Sequence, residues 1–231
     1  MATAWNKGKT KETNPSVAKI SATMKARGLD NFLTWRNRMK DEGKIKSNYP
    51  PFAKDERFAE LIGVTLGDGH IESLPRTDRL IISGDANKPA FINRYAELVR
   101  VLFQKEPHIL FSKTSNAVRI SIYEKNICQR LGIPSGNRHD LCYKIPDWID
   151  NNRCFLTAFL RGLYEAEGFY GVHKPTYTYK LNFYNYNQSL LDLVFASVSK
   201  LGFHPHRSRH AIQLSRKDEV ESLRSIIRFR Q

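Results

Sequence analysis

The stretch Leu61-Ile62-Gly63-Val64-Thr65-Leu66-Gly67-Asp68-Gly69 returns, altered, as Leu160-Arg161-Gly162-Leu163-Tyr164-Glu165-Ala166-Glu167-Gly168. Both copies have leucine first, glycine third, a small residue seventh, an acid eighth and glycine last. Apolar residues precede each copy, and the two acids lie about 100 positions apart, which is the length of a small domain. The chain is therefore expected to contain two related halves, and each copy is predicted to form a helix.

The small residues of each copy share one helix face. Gly63 and Gly67 are four positions apart, as are Gly162 and Ala166, so each pair lies on one side of its helix. Because such a face carries no bulky side chain, two helices can bring their backbones unusually close along it. The leucines of the two copies are then expected to flank the contact: Leu61, Leu66, Leu160 and Leu163.

Each copy ends in an acid followed by glycine. A glycine in the left-handed conformation commonly ends a helix, so we expect positive φ at Gly69 and Gly168 and helices that finish at Asp68 and Glu167. The two carboxylates would then face each other and the negative ends of two helix dipoles. A divalent metal held by oxygen ligands is the cation that suits this arrangement best. One acid before a glycine is an ordinary helix end, but two copies with matching flanks favour a shared site.

The pair of motifs resembles the signature of the LAGLIDADG homing endonucleases, in the form in which one chain carries both copies. The resemblance implies a monomeric, intron-encoded hydrolase that cuts both strands of DNA at a specific, long and asymmetric target. It implies Asp68 and Glu167 as the metal-binding catalytic acids, with the backbone oxygens of Gly67 and Ala166 as further ligands. Mg²⁺ is the expected ion, Mn²⁺ is an alternative, and Ca²⁺ is expected to bind without supporting cleavage.

The motifs depart from the usual pattern of that family in their middle residues, Thr65-Leu66 and Tyr164-Glu165, and Glu167 stands in place of aspartate. The longer side chain keeps the carboxylate. Two other functions on the same scaffold stay open: a non-cleaving, sequence-specific DNA-binding regulator and an RNA-splicing maturase. The presence of both acids favours the nuclease, since a protein that only binds DNA does not need them.

The expected fold class is α/β, more closely α+β, with two pseudo-symmetric αββαββα repeats. As in the resembled family, saddle-shaped antiparallel sheets would pack through the two motif helices. We divide the chain into a basic N-terminal DNA-binding segment with its linker (1–50), a first repeat (51–145) and a second repeat (146–231). The likeness of Asn116–Ser121 to His210–Ser215 supports the duplication.

Hydrophobic periodicity and turn residues predict the elements of each repeat. In the first repeat they are the motif helix, strands 69–73 and 79–83, helix 87–103, strands 109–113 and 117–123, and a helix through Leu131. In the second repeat they are helix 152–167, strands 169–173 and 178–184, helix 188–201, strands 204–207 and 211–215, and helix 217–227.

Composition limits the classes of function. The 231 residues are 41% hydrophobic, enough for a folded core, and carry a formal net charge of +14. This charge indicates a polyanionic partner, for which double-stranded DNA is the best candidate. No apolar run approaches the ~20 residues of a membrane span, and neither a signal peptide nor the His-Asn terminus of an intein is expected. Three widely spaced cysteines suit a reducing compartment, so we expect the cytoplasm, or the organelle or nucleoid that holds the DNA target.

Residues 1–50 hold about half of the net charge. An asparagine–proline pair predicts a helix over 15–27, and a second helix is expected over 30–43. Residues 5–28 resemble DNA-binding segments that are appended to some homing endonucleases; the alternative is a disordered basic tail. Residues 45–51 are the predicted linker. The DNA-contact candidates of this segment are Lys7, Lys9 and Lys11.

The predicted strands alternate apolar and polar residues, so one sheet face should pack on the helices while the other binds DNA or is simply solvated. In the resembled family such strand pairs lie in the major groove on either side of the cut. Candidates for base contacts are Arg79, Ser83, Arg119, Lys180, Asn182, Tyr184 and Gln213. Candidates for phosphate contacts near the hairpin turns are Lys113, Arg207 and Arg209. Arg216, just after the last strand, is the candidate for a basic catalytic residue.

Overall fold

The computed structural model describes residues 4–43 and 46–230. Its internal contacts divide the chain into two compact units, one that ends at Tyr49 and one that begins at Pro50. The predicted linker begins at Ile45 and the predicted second repeat ends at Gln231, and both of these residues lie outside the described ranges. Within those ranges, every helix is too short or too polar to cross a membrane.

The N-terminal unit contains two helices, α1 (Pro15–Ala26) and α2 (Leu33–Asp41). Asn14 caps α1, because its side chain accepts hydrogen bonds from the backbone N–H groups of Ser16 and Val17 at 3.1 and 3.3 Å. Over residues 4–43, neither helix buries a side chain. The two helices therefore gain little hydrophobic stabilisation of their own.

The larger unit consists of two αββαββα repeats, which confirms the predicted fold class. The first repeat contains α3 (Glu56–Gly67), β1 (Gly69–Leu74), β2 (Thr77–Asp85), α4 (Pro89–Phe103), β3 (His108–Phe111), β4 (Ala117–Glu124) and α5 (Ile127–Leu131). After the one-turn helix α6 (Asp147–Asp150), the second repeat contains α7 (Arg153–Glu167), β5 (Gly168–His173), β6 (Thr178–Tyr184), α8 (Gln188–Lys200), β7 (His206–Arg207), β8 (Ala211–Leu214) and α9 (Lys217–Ile226). Both sheets are antiparallel, with strand orders β1-β2-β4-β3 and β5-β6-β8-β7.

The strand pairing relates the two repeats and corrects the alignment expected from the sequence. Two ladders of paired residues are equivalent, Gly69–Ile82–Ile120 in the first sheet and Gly168–Phe183–Ile212 in the second. Ile120 is therefore the counterpart of Ile212, whereas the sequence likeness pairs it with Leu214. Because a shift of two residues keeps every side chain on its own face, the apolar alternation does not distinguish the two registers.

Helices α3 and α7 pack with their backbones in direct contact, which confirms the predicted seam. A Cβ atom on Gly63 would overlap the carbonyl oxygen of Phe159, and one on Gly162 would lie 2.5 Å from the backbone nitrogen of Val64. Real Cβ atoms do not come this close to backbone atoms, so glycine is required at both positions. The flanking leucines are buried, as predicted: Leu61, Leu66, Leu160 and Leu163.

The glycines that end the motifs are needed for a different reason from the one expected. Neither Gly69 nor Gly168 has a positive φ, and Gly168 has φ −83° and ψ 148°. Each is the first residue of a strand that turns back directly over the last turn of its helix. A Cβ atom on Gly69 would lie 2.5 Å from the Cα of Thr65, and one on Gly168 would overlap the carbonyl oxygen of Tyr164. Steric contact, and not left-handed backbone, explains these two glycines.

A buried ion network joins the same two helices. Arg94 of α4 donates two hydrogen bonds to the carboxylate of Glu60, at 2.5 and 2.7 Å, and the Arg161 Nη1 of α7 donates a third at 3.4 Å. The Nε of Arg161 also donates to the carbonyl oxygen of Ile227 at 2.7 Å. Glu60 and Arg161 are only 4% and 8% exposed. Loss of Glu60 would therefore leave the charge of Arg161 buried without a carboxylate, whereas loss of Arg161 would leave Glu60 with Arg94.

Replacement of Gly162 by alanine is expected to lower the free energy of unfolding by about 3 kcal/mol or more, because the new methyl group overlaps backbone atoms of α3. Urea unfolding followed by circular dichroism measures the change. Gly202→Ala is the matched control: Gly202 has φ +95°, but nothing lies within 4 Å of the added methyl group, so a loss of about 1 kcal/mol is expected. Equal losses in the two variants would contradict the close seam.

Candidate active site

The structure brings Asp68 and Glu167 together at one end of the seam. Asp68 directly follows α3, and Glu167 is the last residue of α7. Gly67 meets Ala166 so closely that an added Cβ would overlap the alanine methyl group, and the Cγ of Glu167 lies 3.5 Å from the same point. The side chain of Glu167 therefore rests against the end of α3, beside Asp68.

The surroundings of both acids disfavour their charged forms. Burial raises the pKa of Asp68 to about 7, the negative charge of Glu167 adds to this rise, and the positive charge of Lys88 opposes it. Burial also raises the pKa of Glu167. The side-chain amide of Asn185 donates a long hydrogen bond of 3.4 Å to Oε1 of Glu167. Two adjacent carboxylates in this environment attract a cation.

The chemistry of the two acids fits a hard divalent cation. Carboxylate oxygens are ligands that Mg²⁺ prefers, and this ion usually takes only one or two carboxylates and keeps several waters. In the part of the chain that the structure describes, no group of three His, Cys, Asp or Glu residues is placed to hold a metal. Asp68 and Glu167 would therefore need water, phosphate or backbone oxygens to complete the coordination. Gly67 and Ala166, whose backbone oxygens are predicted ligands, face each other across the seam.

Lys88 is a candidate functional residue that sequence reasoning missed. It is exposed, it immediately precedes α4, and its charge lowers the pKa of Asp68. The β1–β2 hairpin starts just after Asp68 and ends just before Lys88, so its length determines how near Lys88 comes to Asp68. No periodic pattern separates it from the other lysines, so only the folded hairpin identifies it.

The structure does not bring Arg216, the predicted basic catalytic residue, to the acids. The ladder that contains Gly168 reaches β8 at Ile212, near the start of that strand, and β8 then runs away from Glu167. Arg216 follows the far end, where its Nη1 donates to Oε1 of Glu219 at 3.1 Å. The sequence shows that Arg216 follows a strand, but it does not show which end of that strand lies near the motif helix. The distance between Arg216 and the acids was therefore not predictable.

A cavity of about 530 Å³ adjoins Glu167. One side is aromatic and is formed by Tyr184, Tyr186 and His210 of the second repeat. The segment that joins the two repeats forms the other side with Gly136, Asn137, Arg138, His139, Leu141 and Tyr143. This volume lies within the range of ligand-binding pockets, so one of the acids borders open space that a substrate can enter.

Most of the predicted DNA-contact residues in the strands lie on the outer faces of the sheets, opposite the helices. In the first sheet Leu80, Ile82, Val118 and Ile120 are buried. This burial leaves Arg79, Ser83 and Arg119 on the other face. In the second sheet Leu181, Phe183, Ile212 and Leu214 are buried. Lys180, Asn182, Tyr184 and Gln213 therefore lie opposite them.

The predicted DNA-contact residues Asn182 and Arg207 are held by other side chains. Asn182 is only 3% exposed, and its Nδ2 donates to the hydroxyl oxygen of Tyr184 at 2.7 Å. Arg207 pairs with Ile212, whose side chain is buried, so Arg207 lies on the helix side of the sheet. Its Nε donates to the carboxylate of Asp192 at 2.7 Å. Either residue would have to exchange its partner before it could contact DNA.

The candidates in the hairpin turns and in the N-terminal unit are exposed. Lys113 and Arg209 lie in hairpin turns, and Lys9 of the N-terminal unit lies over the ring of Trp5 at 5.4 Å. Lys7 and Lys11 are exposed in the same unit. Strand alternation also places residues on the outer faces that the sequence analysis did not name: His70, His108, Tyr123, Phe169 and His206.

The chain is similar to parts of longer curated proteins. No protein-family model matches the chain. The chain is 30% identical to the replication factor C small subunit of Methanocaldococcus jannaschii over 187 residues, which are 74% of this chain and 9% of that protein. It is 25% identical over 198 residues to the probable cell division protein WhiA of Alkaliphilus oremlandii, covering 76% of this chain and 60% of the relative. The chain thus spans less than two thirds of the length of either protein.

Comparison with solved structures decides the fold. The homing endonuclease I-DmoI in complex with DNA and Mn superposes with a TM-score of 0.52 and 18% identity, over 76% of this chain and 98% of that chain. Full-length WhiA from Thermatoga maritima superposes with a TM-score of 0.56 and 17% identity, over 80% and 59%. The N-terminal LAGLIDADG domain of WhiA gives 0.50 and 15%, over 80% and 86%. The fold is the LAGLIDADG fold. At these identities the likeness extends to the fold alone.

Neutralisation of Asp68 is expected to stabilise the metal-free protein at high pH. The folded pKa of Asp68, raised to about 7, exceeds the unfolded value of about 4. Between these values the folded state binds more protons than the unfolded state, so the free energy of unfolding falls as the pH rises. Asp68→Asn removes this loss, with a gain on the order of 4 kcal/mol at pH 8 and little change at pH 4.

Urea unfolding in the presence of a chelator, at both pH values, measures this effect. Asp140→Asn is the control, because the side chain of Asp140 is 94% exposed. Its stability should differ from wild type by the same small amount at both pH values. If Asp68→Asn were no more stable than wild type at pH 8, the raised pKa of Asp68 would be refuted.

Proposed function

We propose that this chain is a metal-dependent endonuclease that cuts both strands of DNA at a specific, long and asymmetric target. The observation that carries the proposal is the placement of Asp68 and Glu167. Each repeat supplies one of these carboxylates, they are adjacent at the end of a backbone-to-backbone helix seam, and the pKa of each is raised. A carboxylate with a raised pKa beside a cavity, as Glu167 is, is typical of functional sites. A divalent cation would relieve the repulsion between the two acids.

Charge and surface chemistry support double-stranded DNA as the substrate. The chain has a formal net charge of +14, and the outer sheet faces include Arg79, Arg119 and Lys180. The major groove of B-DNA accepts a two-stranded β-ribbon, and long polar side chains pair there with base edges. The fold shared with I-DmoI, a homing endonuclease solved in complex with DNA and Mn, also favours this substrate.

Asp68 and Glu167 would hold Mg²⁺ or Mn²⁺, with the backbone oxygens of Gly67 and Ala166 as further ligands, whereas Ca²⁺ would bind without supporting cleavage. When bound, the ion supplies the acidity that activates water and the charge that stabilises the leaving oxygen. Lys88 offers a positive charge beside Asp68, where negative charge develops on the phosphate. Asn185 orients the carboxylate of Glu167 through its hydrogen bond.

The differences between the two repeats support an asymmetric target and a monomeric enzyme. One repeat supplies aspartate and the other glutamate, and the outer faces of their sheets carry different side chains. Residues 1–50 would form a basic DNA-binding segment and linker ahead of the repeats 51–145 and 146–231. Such an enzyme acts wherever its DNA target lies, in the cytoplasm, a nucleoid or an organelle.

Selection from a randomised library of DNA sites, followed by cleavage with Mg²⁺, tests the proposal. Wild type is expected to make double-strand breaks at one site. Asp68→Asn and Glu167→Gln should cut at least ~10²-fold more slowly but bind that site as tightly as wild type or more tightly, since a negative charge near phosphate is removed. Asp140→Asn should cut at the wild-type rate. Tight binding of one site without any cutting in Mg²⁺ or Mn²⁺ would refute the nuclease.

Lys88→Met is expected to slow cleavage by roughly 10²-fold, because it removes the positive charge near Asp68. In the metal-free protein it should also raise the pKa of Asp68 further, which nuclear magnetic resonance of the carboxyl carbon measures. Lys125→Met, at an exposed lysine in a turn, is the control and should change neither quantity. A rate within twofold of wild type would remove Lys88 from the mechanism.

A DNA-binding regulator that does not cut is the second candidate. The superposition on WhiA favours it, because its TM-score of 0.56 exceeds the 0.52 for I-DmoI and the curated relative is named as a cell division protein. In that case wild type would bind one site tightly and leave it intact with every ion. Preferential binding of structured intron RNA would instead support a maturase.

A further inference from the structure

Arg138 lies in the segment between the two repeats and contacts the end of α3. Its Nη1 donates to the carbonyl oxygen of Thr65 at 2.5 Å, and its Nη2 donates to that of Gly69. These two carbonyl groups lie on either side of Asp68 along the chain. Thr65 lies in the last turn of α3, where carbonyl groups lack partners within the helix. The guanidinium satisfies this carbonyl group and offsets the negative end of the helix dipole.

Arg230 makes the corresponding contact at the end of α7. Its Nη2 donates to the carbonyl oxygen of Gly168 at 3.0 Å, and its backbone N–H donates to Oε1 of Glu165 at 2.7 Å. Gly168 holds in the second motif the place of Gly69 in the first. Each arginine comes from the segment that follows the last helix of its own repeat, α5 or α9. The two contacts are therefore equivalent under the pseudo-symmetry.

The segment that carries Arg138 is tied to both repeats. The side-chain amide of Asn187, at the start of α8, donates to the carbonyl oxygens of Arg138 and Leu141 at 3.0 and 2.8 Å. The backbone N–H of Gly136 donates to the carbonyl oxygen of Ile71 in β1 at 3.0 Å. The backbone that carries Arg138 is therefore held by both repeats.

We infer that Arg138 and Arg230 are positioning residues, each of which fixes the catalytic acid of one motif by binding the carbonyl group that directly follows it. Gly69 follows Asp68 and Gly168 follows Glu167, so displacement of one carbonyl group moves one acid and leaves the other in place. The cleavage part of this inference rests on the proposed nuclease function. The metal-binding part does not require cutting.

Arg138→Gln and Arg230→Gln, assayed on a duplex whose strands carry different end labels, test the inference. We take each acid to serve the phosphate of one strand. Each variant should therefore cut that strand about fivefold more slowly than the other, since it loses charged hydrogen bonds at one acid only. The slowed strand should be opposite in the two variants. Arg138→Lys and Arg230→Lys keep the charge, so the cutting rates of the two strands should differ less than in the glutamine variants. A purely structural role would slow both strands equally.

Lys144→Gln and Arg228→Gln are the matched controls, because each removes an exposed cation close in sequence to one of the arginines. Both should cut the two strands as evenly as wild type does. Circular dichroism checks that all variants are folded. The absence of opposite strand preferences in Arg138→Gln and Arg230→Gln overturns the inference and leaves the nuclease standing.

Mn²⁺ binding followed by electron paramagnetic resonance gives a measurement that needs no cleavage. Both glutamine variants should bind Mn²⁺ about fivefold more weakly than wild type and the two controls, because one acid of the pair is displaced. If wild type does not cut DNA, the proposed nuclease fails and this measurement alone decides the inference. Unchanged Mn²⁺ affinity in the glutamine variants then overturns it.

Discussion

The contact between the backbones of α3 and α7 is the one on which the rest of the structure depends. Gly63 and Gly162 let main-chain atoms of the two helices meet without an intervening side chain. The strands β1 and β5 start at Gly69 and Gly168, almost at the ends of these helices. The orientation of one helix against the other therefore also determines how the two sheets and the two acids are related.

The same contact creates an electrostatic conflict at one end of the seam. Asp68 and Glu167 are partly buried next to each other at two helix ends, and the pKa of each is raised in consequence. The buried leucines and the network of Glu60 with two arginines stabilise the opposite part of the seam. Strain concentrated at a site and offset elsewhere is a common feature of functional proteins.

Spacing within one element made much of this fold predictable. The four-residue spacing of Gly63 and Gly67 predicted the seam, and the two-residue alternation around Leu80 and Ile82 predicted the inner face of a sheet. Both predictions needed only the periods of helix and strand. The acids at the end of the seam followed from the position of Asp68 and Glu167 within the repeated motif.

Contacts between elements distant in sequence were not predictable in this way. Arg138 binds the carbonyl group of Thr65, 73 positions earlier, and no local pattern singles out this arginine. Burial of Asn182 depends on its neighbours across the sheet, and the inward position of Arg207 depends on its pairing with Ile212. The conformation of Gly69 likewise follows from the way β1 turns back over the last turn of α3. The motif sequence alone does not reveal this contact.

The ion pair between Glu60 and Arg161 shows why the two repeats are not interchangeable. The aligned motifs place Phe159 where the first repeat has Glu60, and Ile62 where the second has Arg161. Under the pseudo-symmetry, the positions that correspond to the ion pair are thus both apolar, and all four residues are buried. Two copies of the second repeat would set Arg161 against Phe159, and a buried charge that loses its partner costs about 3–5 kcal/mol. Two copies of the first repeat would leave Glu60 with Arg94 as its partner. Helix α7 therefore accepts α3 far better than a copy of itself, which keeps one aspartate and one glutamate in a shared site.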